Sequence, residues 1–405
     1  MFDVTIYGHK NTKFPNLVSK RFRMFVGPYC NEDCKFCYYR EYLHNRELSC
    51  STDFLKKQLE FGFRVGARVV DFSGGEPTIR QDLPELIRYA RDLGYETIAI
   101  ITNGIRPSNE KYLNELISSG LNDMLISIHG INRMHDNIVQ LNGAFNKIKT
   151  LLEQLNRLNF RFRTNTVIVK DNVAQLAEVS AWIASYGPKA MNFIFFNDFY
   201  PNEDNSLLPD LDEASLAVKK AIDLAQKNVP KITVRYAPLC YMKGYEKFVC
   251  NYPQRPYDPD EENHSIQVVF SEYGFEQPVD KNNMKVTLVR TFIYNPLIYP
   301  VTHKVKHPIQ EFGKTRKKFL QTSSEIPTSA EGDINKFFYI KECRECKARM
   351  LCDGIKRGYI KQRKEFRVIP YKDTEEIRDV MYFRGPYLES IYGRGYTEDY
   401  HVGQN

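Results

Sequence analysis

The sequence is poor in several features that would each point to a particular class of protein. Tryptophan occurs once in 405 residues, and no apolar run approaches the roughly 20 residues that span a bilayer. Met1 to Thr5 lack a basic start followed by an apolar stretch, so we expect no targeting segment and a cytoplasmic protein. The net charge of +7 is modest for this length, and we expect neither a membrane nor a nucleic acid as partner.

What the sequence does have is nine cysteines. Because cytosolic thiols stay reduced, these cysteines point to metal binding or catalysis rather than to disulfides. Three of them, Cys30, Cys34 and Cys37, follow one another closely and could hold three corners of a cubane iron–sulfur cluster, which leaves the fourth iron open. The alternative is zinc, but a structural zinc site needs four ligands and no fourth lies near in sequence.

Strand-like and helix-like patterns alternate from about residue 21 to residue 236. Between the strands lie amphipathic helices, one of which should start with a capping box of Asp82 and Glu85 and another of which should end at Gly120. Such an alternation predicts an α/β fold with a parallel sheet, closed as a barrel or a partial barrel. The strand predictions, rich in Val, Ile and Phe, are 22–26, 67–72, 97–102, 124–128, 162–169, 191–196 and 232–236.

Residues suited to ligand binding follow several of these strands directly. The cysteine loop follows the first strand, Gly74-Gly75-Glu76-Pro77 the second, and Asn103 the third, while Ser127 ends the fourth. In parallel sheets of this kind chemistry gathers at the C-terminal ends of the strands. We therefore expect these residues to lie on one rim of the barrel.

The Cys-x3-Cys-x2-Cys motif with Phe36 before its last cysteine, followed by Gly-Gly-Glu-Pro, resembles the radical S-adenosylmethionine (SAM) superfamily over about residues 20–236. The resemblance implies a partial (βα)6 TIM-like barrel and a 4Fe–4S cluster held by Cys30, Cys34 and Cys37. In the family, SAM chelates the open iron, and one electron cleaves it to a 5′-deoxyadenosyl radical that abstracts hydrogen from a substrate. The electron donor would be a protein such as flavodoxin or ferredoxin.

The resemblance also implies residues that contact SAM. Gly74, Gly75, Glu76 and Pro77 would hold its amino group, unless they form a bare turn. Asn103, Ser127 and Asn165 are further candidate contacts, although polar residues at strand ends are often structural. His129 either faces the substrate or is a hydrogen-bonded structural histidine. Lys35 and backbone N–H groups of the loop could donate hydrogen bonds to the cluster sulfurs.

A second set of cysteines, Cys343, Cys346 and Cys352, resembles the SPASM and twitch extensions of the same superfamily. Cys240 could complete four ligands for one auxiliary 4Fe–4S cluster, with zinc as the alternative. We therefore expect a barrel at residues 1–236 and a smaller SPASM/twitch-like domain at 237–405, with an insertion at about 255–335. That insertion and the C-terminal tail could close over the barrel mouth.

Cys250 remains unassigned by these sets. It could donate hydrogen to a substrate radical, serve as a ligand, or be an inert buried thiol. We expect a radical SAM enzyme of oxidoreductase or epimerase type that acts on a small biosynthetic molecule, since only about twenty residues precede the first strand and these are too few for a peptide-recognition domain. Hydrogen donation by Cys250 would give epimerisation, whereas electron transfer to the auxiliary cluster would give dehydrogenation or rearrangement. Modification of a ribosomal peptide, or a non-enzymatic RNA-binding or assembly factor, are the alternatives.

Overall fold

The computed structural model describes residues 19–37, 39–64, 66–196, 205–251, 253–261, 326–327, 337–363, 366 and 368–393. Seven strands form one parallel sheet in sequence order. They are β1 (Arg21–Phe25), β2 (Val69–Ser73), β3 (Thr97–Thr102), β4 (Asp123–Ser127), β5 (Phe162–Ile168), β6 (Ala190–Phe195) and β7 (Lys231–Arg235). The helices between them are α1 (Thr52–Arg64), α2 (Leu83–Leu93), α3 (Glu110–Ser119), α4 (Arg133–Val139), α5 (Ala144–Arg157), α6 (Leu176–Ala184) and α7 (Leu211–Ala225).

This βα alternation is the TIM-like partial barrel that the sequence predicts, and the seven predicted strands agree with the observed ones to about two residues at each end. The prediction follows from packing. Outward-facing side chains such as Phe72, Ile100 and Ile126 are fully buried against the helices. Strands covered in this way read as apolar runs.

Of the two predicted helix ends, one agrees with the structure and one does not. Gly120 follows α3 with a φ of 121°, as expected of a residue that ends a helix. The capping box at α2 is wrong, because the Asp82 side chain makes no cap hydrogen bond. Its carboxylate instead accepts from the Arg80 guanidinium at 2.7 Å and from Thr52 Oγ1 at 2.6 Å. A stronger charged donor thus takes the oxygen atoms that the helix N-terminus would otherwise use.

The inward face of the sheet carries buried charges near the N-terminal ends of the strands. Arg21 Nη1 lies 2.6 Å from Asp71 Oδ1, and Arg163 Nη2 lies 3.1 Å from the same carboxylate. Arg163 Nε also donates to Asp123 Oδ2 at 2.8 Å. Burial by itself raises the pKa of Asp71, but Arg21 and Arg163 hold it below its usual value. This end of the barrel is therefore filled by ion pairs.

The sheet is open between β1 and β7, and residues 258–261 lie along that gap. Asp260 contacts Lys231 of β7 at 2.8 Å and Arg21 of β1 at 3.5 Å. Glu261 accepts from Arg235 Nε at 3.0 Å, also in β7. These residues belong to the insertion expected at about 255–335, and they fill the gap at the side of the barrel. Most of that insertion, and Arg394 and Tyr396 of the tail, lie outside the described residues.

The described C-terminal part consists of short elements that pack on the barrel. Its strands β8 (Ile326–Pro327), β9 (Phe337–Tyr339) and β10 (Ile355–Lys356) form an antiparallel sheet with β9 in the centre. Helices α8 (Arg357–Gln362) and α9 (Arg384–Tyr392) follow. Leu351, Ile355 and Tyr359 belong to the same apolar cluster as the barrel core. None of the helices in the described ranges is long and apolar enough to cross a membrane.

Candidate functional site

The three cysteines lie on the loop that follows β1, as expected. All three thiols are free and half-buried. Two backbone hydrogen bonds shape the loop: Cys37 N donates to Cys34 O at 3.0 Å, and Glu32 N donates to Cys30 Sγ at 3.4 Å. The second of these is a backbone donor to a cysteine sulfur, and the Lys35 ammonium lies 2.9 Å from Asp171. Hydrogen bonds from Lys35 or the backbone to cluster sulfurs stay a prediction.

The Gly-Gly-Glu-Pro turn after β2 is fitted against this loop. Gly75 N donates to Gly27 O at 2.8 Å, and Glu76 N donates to Tyr29 O at 2.9 Å. A Cβ on Gly75 would lie 2.1 Å from Pro28 O, so only glycine allows the two backbones to approach this closely. The backbone of this turn therefore approaches the cysteine loop closely, which a bare turn would not require.

Glu76 is buried and its carboxylate is already engaged within the protein. Oε1 accepts from Thr78 N, Thr78 Oγ1 and Thr102 Oγ1 at 2.6–3.0 Å, and Oε2 accepts from Asn103 N at 2.7 Å. Burial raises the pKa of Glu76, while these donors stabilise the ionised form. Pro77 begins a short 3-10 turn (Pro77–Ile79) that this carboxylate caps. The residue thus joins the turns that follow β2 and β3.

Ser127 and Asn165 are direct neighbours on the inner face, because the register of β4 and β5 pairs them. Asn165 in turn faces Asn192 of β6, whose Nδ2 donates to Asn165 Oδ1 at 2.9 Å. Ser127 and Asn165 are half-buried. This polar row lies on the same C-terminal half of the barrel as the cysteine loop, so the predicted rim is present.

A further side of the cysteine loop is held by α4 and by His129. Asp33 N donates to Val139 O at 3.2 Å, and Lys35 N donates to Ile138 O at 3.0 Å. The Phe36 ring meets the His129 ring edge-on at a centroid distance of 4.6 Å. His129 Nδ1 accepts from Val167 N at 3.1 Å, and burial lowers the pKa of this imidazole well below its usual value. The geometry therefore matches the structural alternative for His129.

The electrostatics of the loop favour binding of a cationic metal centre. Burial raises the pKa values of all three thiols, that of Cys37 to about 11, and the charge of Glu76 adds to the effect at Cys30. Glu32 lies between the first two cysteines, is 5% exposed, and has a pKa raised to about 8, mainly by burial. Iron binds soft sulfur ligands, and its binding stabilises the thiolate form of cysteines such as these, which are grouped with carboxylates. The loop therefore fits the cluster that the resemblance implies.

The second cysteine set also comes together in space. Leu239 N donates to Cys352 Sγ at 3.4 Å, which brings the segment of Cys240 against the C-terminal cysteines. Burial, followed by the neighbouring Cys343 and Cys346, raises the pKa of Cys240 to about 12. Tyr339 OH donates to Cys352 O at 2.8 Å and so orients the last cysteine. Four half-buried thiols thus converge beside the end of β7.

Across the described ranges, no three His, Cys, Asp or Glu side chains are grouped tightly enough for one metal ion. A tetrahedral zinc site places its sulfurs about 3.8 Å apart, given Zn–S bonds of about 2.3 Å. A cluster of four irons spaces its ligands more widely. Zinc stays the alternative for the second cysteine set.

The remaining two cysteines are deeply buried. Cys250 N donates to Val234 O at 2.8 Å beside β7, and its side chain is 0% exposed. Burial raises the pKa of this thiol to about 12. Hydrogen donation by Cys250 stays a prediction, and its surroundings favour the inert alternative. Cys50 is 2% exposed, in keeping with its omission from the ligand sets.

Sequence reasoning missed several residues that shape the site. Glu32 and Asn31 occupy the variable positions of the cysteine motif, where spacing alone assigns no role. Tyr236, directly after β7, has a φ of 60°, and its ring stacks on Phe337 at 5.9 Å. A bulky residue in this backbone region is strained, which often marks a functional rim. No sequence signal would have identified it, because aromatic residues are common throughout this chain.

A parallel partial barrel with a three-cysteine loop on its C-terminal rim defines a class of proteins that bind a metal cluster where strands end. Residues 24–183 match the family model described as the radical SAM superfamily. The chain therefore contains a stretch similar to radical SAM domains, and this domain family implies a 4Fe–4S cluster and SAM.

Individual relatives differ in the fraction of their own length that aligns with this chain. The chain is 24% identical over 265 residues to a probable GTP 3′,8-cyclase of Methanococcus maripaludis, covering 64% of this chain and 84% of that protein. It is 31% identical over 151 residues to PqqA peptide cyclase of Bradyrhizobium diazoefficiens, covering 37% of this chain but only 39% of the relative. The solved structure of anSMEcpe with bound AdoMet and Kp18Cys peptide aligns over 94% of this chain and 98% of its own, with a TM-score of 0.50 and 14% identity. That last likeness concerns the fold.

Proposed function

We propose that the protein reductively cleaves SAM and uses the resulting 5′-deoxyadenosyl radical to abstract hydrogen from a small biosynthetic molecule. The observation that carries this proposal is the position of Cys30, Cys34 and Cys37, on a half-buried loop at the rim that also holds Ser127 and Asn165. When bound there, the cluster would supply the electron for cleavage. An electron donor such as flavodoxin or ferredoxin would reduce it.

The residues around the loop have roles that follow from their contacts. Cys30, Cys34 and Cys37 would hold three irons, and Gly74 to Pro77 would line the side where the methionine part of SAM lies. Ser127 and Asn165 present polar groups to the interior from neighbouring strands. The aromatic pair of Tyr236 and Phe337 would exclude water from the β7 side of this interior.

The second cysteine set would hold one auxiliary 4Fe–4S cluster in a SPASM/twitch-like part of the chain. In support of this, Cys240, Cys343, Cys346 and Cys352 converge beside the end of β7. In this position a cluster could accept an electron from a substrate radical and give dehydrogenation or rearrangement. Epimerisation would instead need a hydrogen donor such as Cys250.

The test is anaerobic reconstitution with iron and sulfide, followed by strong reductant and SAM. We expect about eight irons per chain, about four for each cubane, and release of 5′-deoxyadenosine. The control is a variant with Cys30, Cys34 and Cys37 changed to Ala, which should release none. Only trace iron in the wild-type protein would contradict the proposal.

A ribosomal peptide is the second candidate substrate, and the likeness to PqqA peptide cyclase favours it. Reductive cleavage is run in deuterated solvent with a small-molecule candidate or a peptide present. The deuterium content distinguishes the reaction types, and the dependence of turnover on the peptide distinguishes the substrates. Solvent deuterium in a small-molecule product would indicate epimerisation, while an oxidised product without deuterium would indicate dehydrogenation. Turnover only in the presence of a peptide would favour the second candidate.

A further inference from the structure

Asn103, at the end of β3, has both ends of its side-chain amide engaged inside the protein. Nδ2 donates to Asn31 Oδ1 at 2.9 Å, and Oδ1 accepts from Ile105 N at 3.2 Å. Its backbone N–H donates to Glu76 Oε2 at 2.7 Å. The residue is 6% exposed, so little of it is offered to a ligand.

The hydrogen-bond partner of this amide is Asn31, which lies within the cysteine motif. Asn31 directly follows Cys30 and lies between the first two cysteines of the motif. It is exposed, so burial does not fix its position. The hydrogen bond from Asn103 therefore ties the segment between Cys30 and Cys34 to the end of a core strand.

Two other anchors hold the loop on either side of that segment. Before Cys30, the backbone of Gly27 and Tyr29 accepts from Gly75 and Glu76. After Glu32, Asp33 and Lys35 donate to the C-terminal end of α4. Asn103 reaches the stretch between these anchors from a third direction.

The end of β3 is itself rigidly placed. Thr102 Oγ1 donates to Glu76 Oε1 at 2.8 Å and accepts from Gly104 N at 3.0 Å. The carboxylate of Glu76 thus fixes the strand end from which Asn103 extends. A polar network of this kind, buried and largely satisfied, holds its members in one arrangement.

We infer that Asn103 is a positioning residue: it fixes the segment between Cys30 and Cys34, and with it the placement of the cluster-binding thiols, and it does not contact SAM. Glu76 serves the same network through its carboxylate. The inference rests on the proposed function, because it takes the three cysteines as cluster ligands. It assigns Asn103 a role different from the SAM contact that the family resemblance suggests.

The test is a double-mutant cycle with Asn31→Ala, Asn103→Ala and the double variant. The control is Asn137→Ala, an exposed asparagine of α4. Three quantities are measured in the full-length protein: the thermal midpoint without iron, the rate at which a chelator removes iron after reconstitution, and the SAM dissociation constant. Iron that belongs to this cluster is the part absent from a Cys30→Ala variant.

We expect each single substitution to speed loss of this iron severalfold, because both remove the hydrogen bond between Asn31 and Asn103. Asn103→Ala also removes the contacts of Asn103 with Ile105 and Glu32, so the double variant should lose iron no faster than Asn103→Ala alone. The SAM dissociation constant, measured on protein with its full cluster content, should change by the same factor in the two single variants, because both act on SAM only through this contact. The inference is overturned if Asn103→Ala weakens SAM binding about tenfold while Asn31→Ala changes nothing, or if the two effects on iron loss simply multiply.

Different experimental results would contradict the inference about Asn103 and the proposed function. If the wild-type chain takes up no iron, the proposed function is wrong. The thermal midpoints of the iron-free proteins then decide the inference by themselves. Shifts that do not add indicate that Asn31 and Asn103 act together, and strictly additive shifts overturn the inference.

Discussion

At the scale of single residues, a tertiary contact explains why glycine is needed directly after β2. Gly75 stands where a side chain would collide with two carbonyl oxygens, those of Pro28 and Tyr29, at 2.1 and 2.2 Å. Real Cβ atoms do not approach backbone this closely, so any larger residue must push the cysteine loop away. The motif is therefore needed for the shape of the loop, whatever it contributes to binding SAM.

Gly75→Ala should displace the cysteine loop and lower the iron content after reconstitution by about four per chain, the content of one cubane. The reason is the collision with Pro28 O and Tyr29 O. Gly143→Ala is the matched control, because a Cβ there has nothing within 4 Å and only a positive φ of 79° to accommodate. Iron analysis of both variants checks this, and unchanged iron in Gly75→Ala would contradict it.

Two buried histidines give the stability a pH dependence. Burial lowers the pKa of His135 to about 4 and that of His129 well below its ordinary value, although Asp136 opposes the shift at His135. The unfolded chain takes up these protons near pH 6.5, while the folded chain does so only at lower pH. The two histidines therefore contribute stability that is fully present above pH 6.5 and is lost as the pH falls toward 4.

We expect each histidine to lower the free energy of unfolding of the iron-free protein by about 1 kcal/mol for each pH unit below 6.5, while Glu32, with its pKa raised to about 8, contributes in the opposite direction. In His135→Asn, the amide oxygen can replace Nδ1 as the acceptor from His129 N, which lies 3.1 Å away. This variant should lose less stability on acidification. Urea unfolding at pH 7.0 and 5.5 measures both proteins, and equal slopes would show that His135 is not the group responsible.

The residue scale also shows where sequence reasoning ends. The strand pattern was enough to place the three cysteines on the loop after β1 and Ser127 at the end of β4. It could not show that Asn103 bonds to Asn31 or that Lys35 turns to Asp171, because both partners lie far away in sequence. The partner of a polar side chain depends on tertiary approach, which no local pattern records.

At the scale of elements, the strands were predictable because their outer faces are apolar, whereas the closure of the barrel was not. The gap between β1 and β7 is filled by residues 258–261 and fastened by α9 through charged groups. Arg384 of α9 donates through Nε to Asp258 Oδ2 at 2.9 Å and through Nη2 to Thr233 Oγ1 at 2.9 Å. In sequence, the stretch 258–261 reads as an acidic loop, and only the fold pairs it with buried cations.

Arg384→Met should destabilise the protein by about 3–5 kcal/mol, because it removes one partner of a buried ion pair. Asp258 would keep Lys231, which is why the loss should not be larger. Arg378→Met is the control, since its pair with Glu376 is exposed and such pairs contribute less than about 1 kcal/mol. Denaturant unfolding compares the two variants, and similar losses would show that α9 does not fasten the barrel.

At the scale of the whole molecule, two cysteine sets occupy one continuous structure. Leu351 and Ile355 belong to the barrel's apolar cluster, and Cys343, Cys346 and Cys352 pack against it. The second set is therefore fixed relative to β7 and not carried on a loosely attached module. The first set lies after β1, at the opposite edge of the open sheet. The interior of the barrel, with Ser127, Asn165 and Asn192 on its wall, lies between these two edges.

The proposed function assigns different steps to the two cysteine sets, and a variant that lacks the second set tests this assignment. In a variant with Cys343, Cys346 and Cys352 changed to Ala, the loop after β1 keeps its anchors at Gly27, Tyr29, Val139 and Asn103, which are independent of the C-terminal part. The variant should hold about four irons instead of about eight and still release 5′-deoxyadenosine. Substrate conversion should fall at least about tenfold, since an electron acceptor near the substrate would be missing. Iron analysis and quantification of both products check this, and loss of 5′-deoxyadenosine in a variant that still holds about four irons would show that the second set takes part in cleaving SAM.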